Sequence, residues 1–270
     1  INCSKCNIPM IRESFVLDTW HNSGASPYAG FSDDEYEDLI PAEFLTEGID
    51  QTRGWAYTLL MENVIMKNKD QSPFESFLFQ GHILDEKGNK MSKSLGNVLD
   101  ANKLLVDNSV DAIRFYFMWK SSPIESLSFS LSEMGARPYQ VLSTLYYLHV
   151  YLIQNSTYDK FDTKNIDLDS IVKSNSFTMT EAWILSKLQS LVKTVTLSLD
   201  SCRLNEGAKE LEDFIINSLS QTYVPMTRDD IWDDSMETIE RRNVIYAVLG
   251  YTLTIIDILL HSYCPYITNY

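Results

Sequence analysis

Four cysteines in 270 residues are too few to staple a fold of this size. Stability must then come from a packed core, and a reducing, cytoplasmic setting is expected. No charged-then-apolar stretch with a small-residue cleavage site opens the sequence, which argues against secretion. Long apolar runs are also scarce. The most membrane-like is VIYAVLGYTLTIIDILL near the C-terminus, which is short for a span and carries Asp257. A buried bundle helix is expected there, with no membrane partner.

Positive charge is in short supply. Lysine and arginine total 22 against 37 acids, a net charge of −15. The deficit is even along the chain, with 19 acids and 11 bases in residues 1–130 and 18 and 11 in the remainder. That balance argues against holding nucleic acid by bulk electrostatics, so any such partner must be met at local basic spots. Core-forming residues are plentiful. A hydrophobic content of 44%, with 12% aromatics, excludes a disordered chain.

The pattern changes twice. The first thirty residues are irregular (CSKC, FVLDTW, HNSGASPYAG), and the acidic SDDEYED after them suits a solvated face. From Pro41, EGIDQTRGWAYTLLMENVIM places apolar residues at 55, 59, 60, 64 and 65, a helical stripe entered through Gly48–Asp50. FESFLFQGHIL then has the length and composition of a strand, so a strand–helix–strand α/β unit is predicted. DANKLLVDN and SVDAIRFYFMWK predict two short helices, the first capped by Asp100. A Ser/Pro-rich break, SSPIESLSFS, closes this half near residue 130.

Beyond the break the periodicity is helical. Ile184, Leu188, Leu191, Val195 and Leu199 form one stripe, and Leu204, Ala208, Leu211, Ile215 and Leu219 another. A polar linker over roughly residues 155–178 precedes them, and the expected architecture is a helix bundle. The fold class predicted is therefore α/β followed by all-α.

Against this acidic background, EKGNKMSKSLGN at residues 86–97 gathers three lysines between Gly88 and Gly96 or close beside them. Lysines on a glycine-punctuated loop after a strand can close over a polyphosphate and stabilise charge developing on it. The same composition also suits a solvated hairpin tip. The literal string decides. KMSKS followed by LGN resembles the second signature of class I aminoacyl-tRNA synthetases. EGIDQTRGW looks like the segment that isoleucyl-tRNA synthetases carry ahead of KMSKS, where valyl and leucyl relatives differ. DTWHNSG resembles the family's Asp-x-Trp-Phe-x-Ser-Gly stretch, and SVDAIRFYFM the helix after the loop. WILSKLQSLVKTVT and FIINSLSQTYVPMTRDDIW are similar to the anticodon-binding bundle of these enzymes.

The resemblance implies the second half of a class I Rossmann-like catalytic fold plus a helical anticodon-binding bundle. It implies an ATP-dependent isoleucine–tRNA ligase, with isoleucine, ATP with Mg²⁺, and tRNA(Ile) as partners, acting as a monomer. The alternatives are a valyl or other class I synthetase, or a non-catalytic tRNA-binding remnant of one. Residue by residue, Glu47 would hold the amino group or backbone of isoleucyl-adenylate, with Gly48 beside it. Asp50 and Gln51 would face its ribose and carbonyl side, and Trp55 and Trp20 would wall the isoleucine pocket. Lys93 would meet the ATP phosphates, assisted by Lys90, with Gly81 also at the ATP. Each role has a chemical reason, since an ammonium needs a carboxylate, a ribose needs acceptors, and a branched alkyl group needs a rigid apolar wall.

The sequence departs from the family pattern at His21, where Phe is usual, and at Asn22, where an acid is usual. No inherited role is assigned to His21, nor to His82. Cys3 and Cys6 form one CxxC, half of the four-ligand set that zinc takes. It is either a zinc half-site with its partner pair elsewhere or a vacant knuckle, while Cys202 and Cys264 suit core positions. The family's His-x-Gly-His signature and editing domain are not in this sequence. The expected division is 1–17, the end of an insertion; 18–130, the C-terminal half of the catalytic domain; and 131–270, an incomplete anticodon-binding domain. Such a chain would be an internal piece, or a severely truncated form, of a longer enzyme, inactive alone.

Overall fold

The computed structural model describes every residue except 16, 17, 68–70, 165 and 270. Two residues of the FVLDTW segment, at the end of the expected first division, thus lie outside the described residues. The chain forms two compact units, Ile1–His82 and Ile83–Tyr270.

In the first unit, three short helices, α1 (Thr19–Gly24), α2 (Ser26–Gly30) and α3 (Asp33–Leu39), lead into β1 (Ala42–Gly48), α4 (Trp55–Lys67) and β2 (Phe74–Gln80). The acidic segment is α3. Ser32 and Glu35 make a reciprocal capping box, and Asp33, Asp34 and Glu35 occupy the first turn, where the helix dipole favours negative charge. Its Tyr36 is buried, so the segment is an amphipathic helix and not only a solvated face. Strands β1 and β2 pair in parallel, Ala42 opposite Phe74 and Gly48 opposite Gln80. Parallel neighbours need a crossover of a dozen or more residues, which α4 supplies. The predicted strand–helix–strand unit is present.

The buried face of α4 differs from the predicted stripe. Ala56, Leu59 and Asn63 are buried, while Leu60, Val64 and Ile65 are exposed. Helix α1 sets this face: a Cβ on Gly24 would come within 2.8 Å of Thr58, so the two helices meet almost backbone to backbone. Asn63 is buried because it is satisfied. Its Oδ1 accepts from the Tyr36 hydroxyl at 2.5 Å and the Tyr28 hydroxyl at 3.1 Å, and its Nδ2 donates to the Gln71 carbonyl at 2.6 Å.

The second unit opens with β3 (Ile83–Leu84), the lysine loop, α5 (Ala101–Asp107) and α6 (Val110–Lys120). Asp100 caps α5 as expected, accepting from the amides of Asn102 and Lys103. Strand β4 (Leu127–Ser128) pairs in parallel with β3. The bundle follows: α7 (Leu131–Tyr158), the short α8 (Leu168–Val172), α9 (Met179–Asp200), α10 (Leu204–Asp213), a π-helical stretch (Phe214–Tyr223), α11 (Val224–Trp232) and α12 (Ile239–His261). Both predicted stripes face the core; Leu199 and Leu204 are the partly buried ends. The π stretch has a cause in the sequence. Leu211, Ile215, Leu219 and Tyr223, all fully buried, recur every four residues. That spacing outruns a 3.6-residue turn, and the wider π turn keeps all four inward.

Met236–His261 is the one segment, among the described residues, long and apolar enough to cross a membrane. It packs as the bundle's core helix, with Val244–Gly250 buried without a break. Helix α6 packs on α7 and α10.

Candidate active site

The predicted site residues fall into two groups, one in each compact unit. In the first unit, Glu47 and Gly48 end β1, opposite Phe79 and Gln80 of β2, and Gly81 follows directly. These residues share the carboxyl edge of a parallel pair, the edge at which open α/β sheets bind ligands. Glu47 is exposed, and its Oε2 accepts from the Gly48 amide at 3.3 Å. Gln80 Nε2 donates to Thr46 Oγ1 at 2.9 Å, and that hydroxyl donates to the Leu78 carbonyl, tying the two strand ends together.

The chain then turns through Ile49–Thr52 into α4. Gln51 Nε2 donates to Asp50 Oδ2 at 3.0 Å, and Gln51 Oε1 accepts from the Trp55 amide at 3.3 Å. Gln51 thus caps the helix that carries Trp55. The Trp55 indole donates to the Ser23 carbonyl at 3.1 Å and meets Phe77 edge-on at 6.1 Å. Trp20, held at the start of α1 by the Asp18 cap, lies against Gly54: a Cβ there would be 3.3 Å from its ring. Asp50, Gln51, Gly54, Trp55 and Trp20 are therefore one connected group. His21 pairs with Glu62 of α4, a contact between helices and not part of this group. His82 is half-buried.

In the second unit the lysine loop is a hairpin. Leu84 and Lys90 form an antiparallel bridge, and Gly88, at φ 79°, makes the turn. Asp85 sits at the base. Its Oδ1 accepts from the amides of Lys87 (3.0 Å) and Asn89 (2.8 Å), and its Oδ2 from Asn97 Nδ2 (2.9 Å). The Asn97 amide beside it, with the backbone amides, holds its carboxyl below the usual carboxylate range. Met91 packs against a small core of Leu104, Ile113, Tyr116, Leu127, Phe129 and Met134. Lys90 and Lys93 are exposed, and among the described residues neither has an ion-pair partner. Two free ammonium groups on an anchored backbone can meet a polyphosphate without first breaking a bridge.

Sequence reasoning missed Asp85, Asn97 and Gly54. The continuation LGN signalled Asn97 only as part of a string.

A family model described as tRNA synthetases class I (I, L, M and V) matches residues 5–130, and one described as the anticodon-binding domain of tRNA ligase matches residues 181–270. The chain belongs to the class I aminoacyl-tRNA synthetases. The isoleucine–tRNA ligase of Clostridium tetani is 35% identical over 274 positions, covering 100% of this chain and 26% of that enzyme. That of Methanothermobacter thermautotrophicus is 32% identical, covering 92% and 24%. The chain thus spans about a quarter of the length of these relatives. Two solved synthetases share the fold at a TM-score of 0.74 and 17% identity. One is the leucyl enzyme of Agrobacterium radiobacter K84 in a ternary complex with tRNA and LeuAMS, covering 99% of this chain and 32% of that one. The other is methionyl-tRNA synthetase of Mycobacterium tuberculosis with methionyl-adenylate, covering 89% and 46%. The fold class is therefore the expected one: part of a Rossmann-like synthetase domain followed by a helical anticodon domain.

The cysteines do not complete a metal site. Cys3 and Cys6 flank one turn, closed by the Asn7 amide on the Cys3 carbonyl at 2.8 Å. No group of three or more His, Cys, Asp or Glu ligands occurs among the described residues. Cys264 is buried against the Asp111 carbonyl. Two thiols satisfy half of a tetrahedral zinc set, so no chemistry is assigned to zinc here.

Proposed function

We propose that this chain is the KMSKS-bearing part of the catalytic fold, with most of the anticodon-binding bundle, of an isoleucine–tRNA ligase. The observation that carries the reading is 35% identity to such a ligase along the whole chain. In the complete enzyme, the isoleucine carboxylate attacks the α-phosphate of ATP, supplied as its Mg²⁺ complex. The bond to the β-phosphate breaks and pyrophosphate leaves. A terminal hydroxyl of tRNA(Ile) then attacks the activated carbonyl and AMP leaves.

No protein nucleophile is needed; positioning and charge stabilisation suffice. Glu47 and Gly48 take the adenylate's amino end, Asp50 and Gln51 its ribose and carbonyl side, and Trp55 and Trp20 the isoleucine side chain. Gly81 lies at the ATP. Lys93, assisted by Lys90, meets charge as it develops on the departing pyrophosphate. The connected group around Gln51 and the unpaired state of both lysines support these roles. The catalytic part extends over 18–130 and the bundle over 131–270, a division supported by the family match that stops at 130. Action as a cytoplasmic monomer belongs to the same reading.

The test is amino-acid-dependent ATP–pyrophosphate exchange by the complete enzyme. Exchange dominated by isoleucine supports the reading; preference for valine, leucine or methionine, or none, overturns it. Trp55→Leu should then change which amino acid is activated.

A further inference from the structure

One side chain grips the lysine loop on both sides of Met91. Asn97 Oδ1 accepts from the Ser92 amide at 2.9 Å, and Asn97 Nδ2 donates to the Lys90 carbonyl at 3.3 Å. The other amide hydrogen goes to Asp85 Oδ2 at 2.9 Å. A carboxamide has both donors and an acceptor, which a carboxylate or an alkyl group lacks. Gly96, at φ 67°, precedes Asn97 and turns the chain so that this amide reaches back, a conformation glycine adopts cheaply. Asp85 closes the other end by holding the turn amides of Lys87 and Asn89. Between the two grips Met91 is seated in the small core.

We propose that Asp85 and Asn97 are positioning residues for the reaction, fixing the backbone from which Lys90 and Lys93 reach the phosphates. This rests on the ligase reading above. The lysine side chains keep their own rotamer freedom, but their origins are set, so engagement costs side-chain entropy and spares the backbone part. In this role both act through the loop backbone.

The experiment uses the complete enzyme with Asn97→Ala, Asp85→Ala, and the exchanged pair Asp85→Asn with Asn97→Asp. The exchanged pair keeps a hydrogen bond between the two positions and an acceptor for the Ser92 amide, losing the donor to the Lys90 carbonyl and the Oδ2 acceptor for Asn89 Nδ2 at 3.4 Å. In isoleucine-dependent pyrophosphate exchange, each alanine variant should lose about 10²-fold in kcat, as for a misplaced catalytic group, with KM for isoleucine unchanged. The exchanged pair should recover most of that loss. Trypsin should cut after Lys90 and Lys93 faster in Asn97→Ala, with the circular dichroism of the rest unchanged.

Unchanged kcat in Asn97→Ala overturns the proposal. So does a loss in which kcat, KM and Tm move together and the exchanged pair recovers nothing. A wild type silent with isoleucine overturns the ligase reading and the catalytic role with it. The trypsin comparison still decides whether the clasp holds the loop.

Discussion

Arg242 forks onto Asp159 with Nε 2.7 Å from Oδ2 and Nη2 3.1 Å from Oδ1, joining the first turn of α12 to the end of α7. The side chains are 3% and 6% exposed, and the Tyr246 hydroxyl adds a third bond to the same carboxylate. Breaking such a pair from one side leaves a guanidinium with little water. Asp159→Ala should lower unfolding stability by about 3 kcal/mol. Urea denaturation with an unchanged slope checks this.

The same carboxylate gives the bundle an acid limb. The hydrogen bond from Arg242, helped by that from Tyr246, holds Asp159 below the usual carboxylate range. Its contribution is fully present above the ordinary aspartate value, about 4, and is lost as pH falls through the lowered folded value. The stability gap between wild type and Asp159→Asn should therefore narrow in acid. Paired urea titrations from neutral to acidic pH measure it, and a gap that stays constant would contradict the assignment.

Lys93→Ala and Lys90→Ala should leave the fold untouched, since both side chains are exposed and unpaired. On the ligase reading, Lys93→Ala should cost about 10²–10³-fold in kcat for adenylate formation, the worth of one donor at a developing charge, and Lys90→Ala less. Pyrophosphate exchange against circular dichroism separates chemistry from folding.

Gly207→Ala pits two effects against each other. In a helix interior alanine gains about 1 kcal/mol over glycine. Here the added Cβ would come 2.5 Å from the Tyr263 hydroxyl and 3.3 Å from Ser198 Cβ, both in the core. Overpacking costs about 1–3 kcal/mol, and the Tyr263 bond to the Leu204 carbonyl is lost as well. A net loss is expected, and a raised Tm in thermal melts would show that the core yields.

The bundle was legible because helices such as α9 bury one face, so Ile184 to Leu199 announced their contacts by spacing alone. The π stretch was not foreseen, because a run of four-residue steps reads as an ordinary helix until the drift is counted. On α4 the stripe at 60, 64 and 65 misled: the close approach of Gly24 to Thr58 decides the buried face, and a glycine contact leaves no periodic trace. The lysine loop was legible as a string, not as a device. Asp85 and Asn97, twelve residues apart, look like any two polar turn residues until the hairpin brings them together.

Helix α6 belongs to two cores at once. Ala112 and Phe115 are built into the bundle, while Ile113 and Tyr116 line the small core that seats Met91. Arg114 of the same helix donates to the carbonyls of Ser262 and Tyr263, and Asp111 accepts from the amides of Tyr266 and Ile267. A helix is a stiff rod about 10–12 Å across. The segment that follows α12 and the seat of Met91 are thus held by one and the same helix, two fittings on a single spindle.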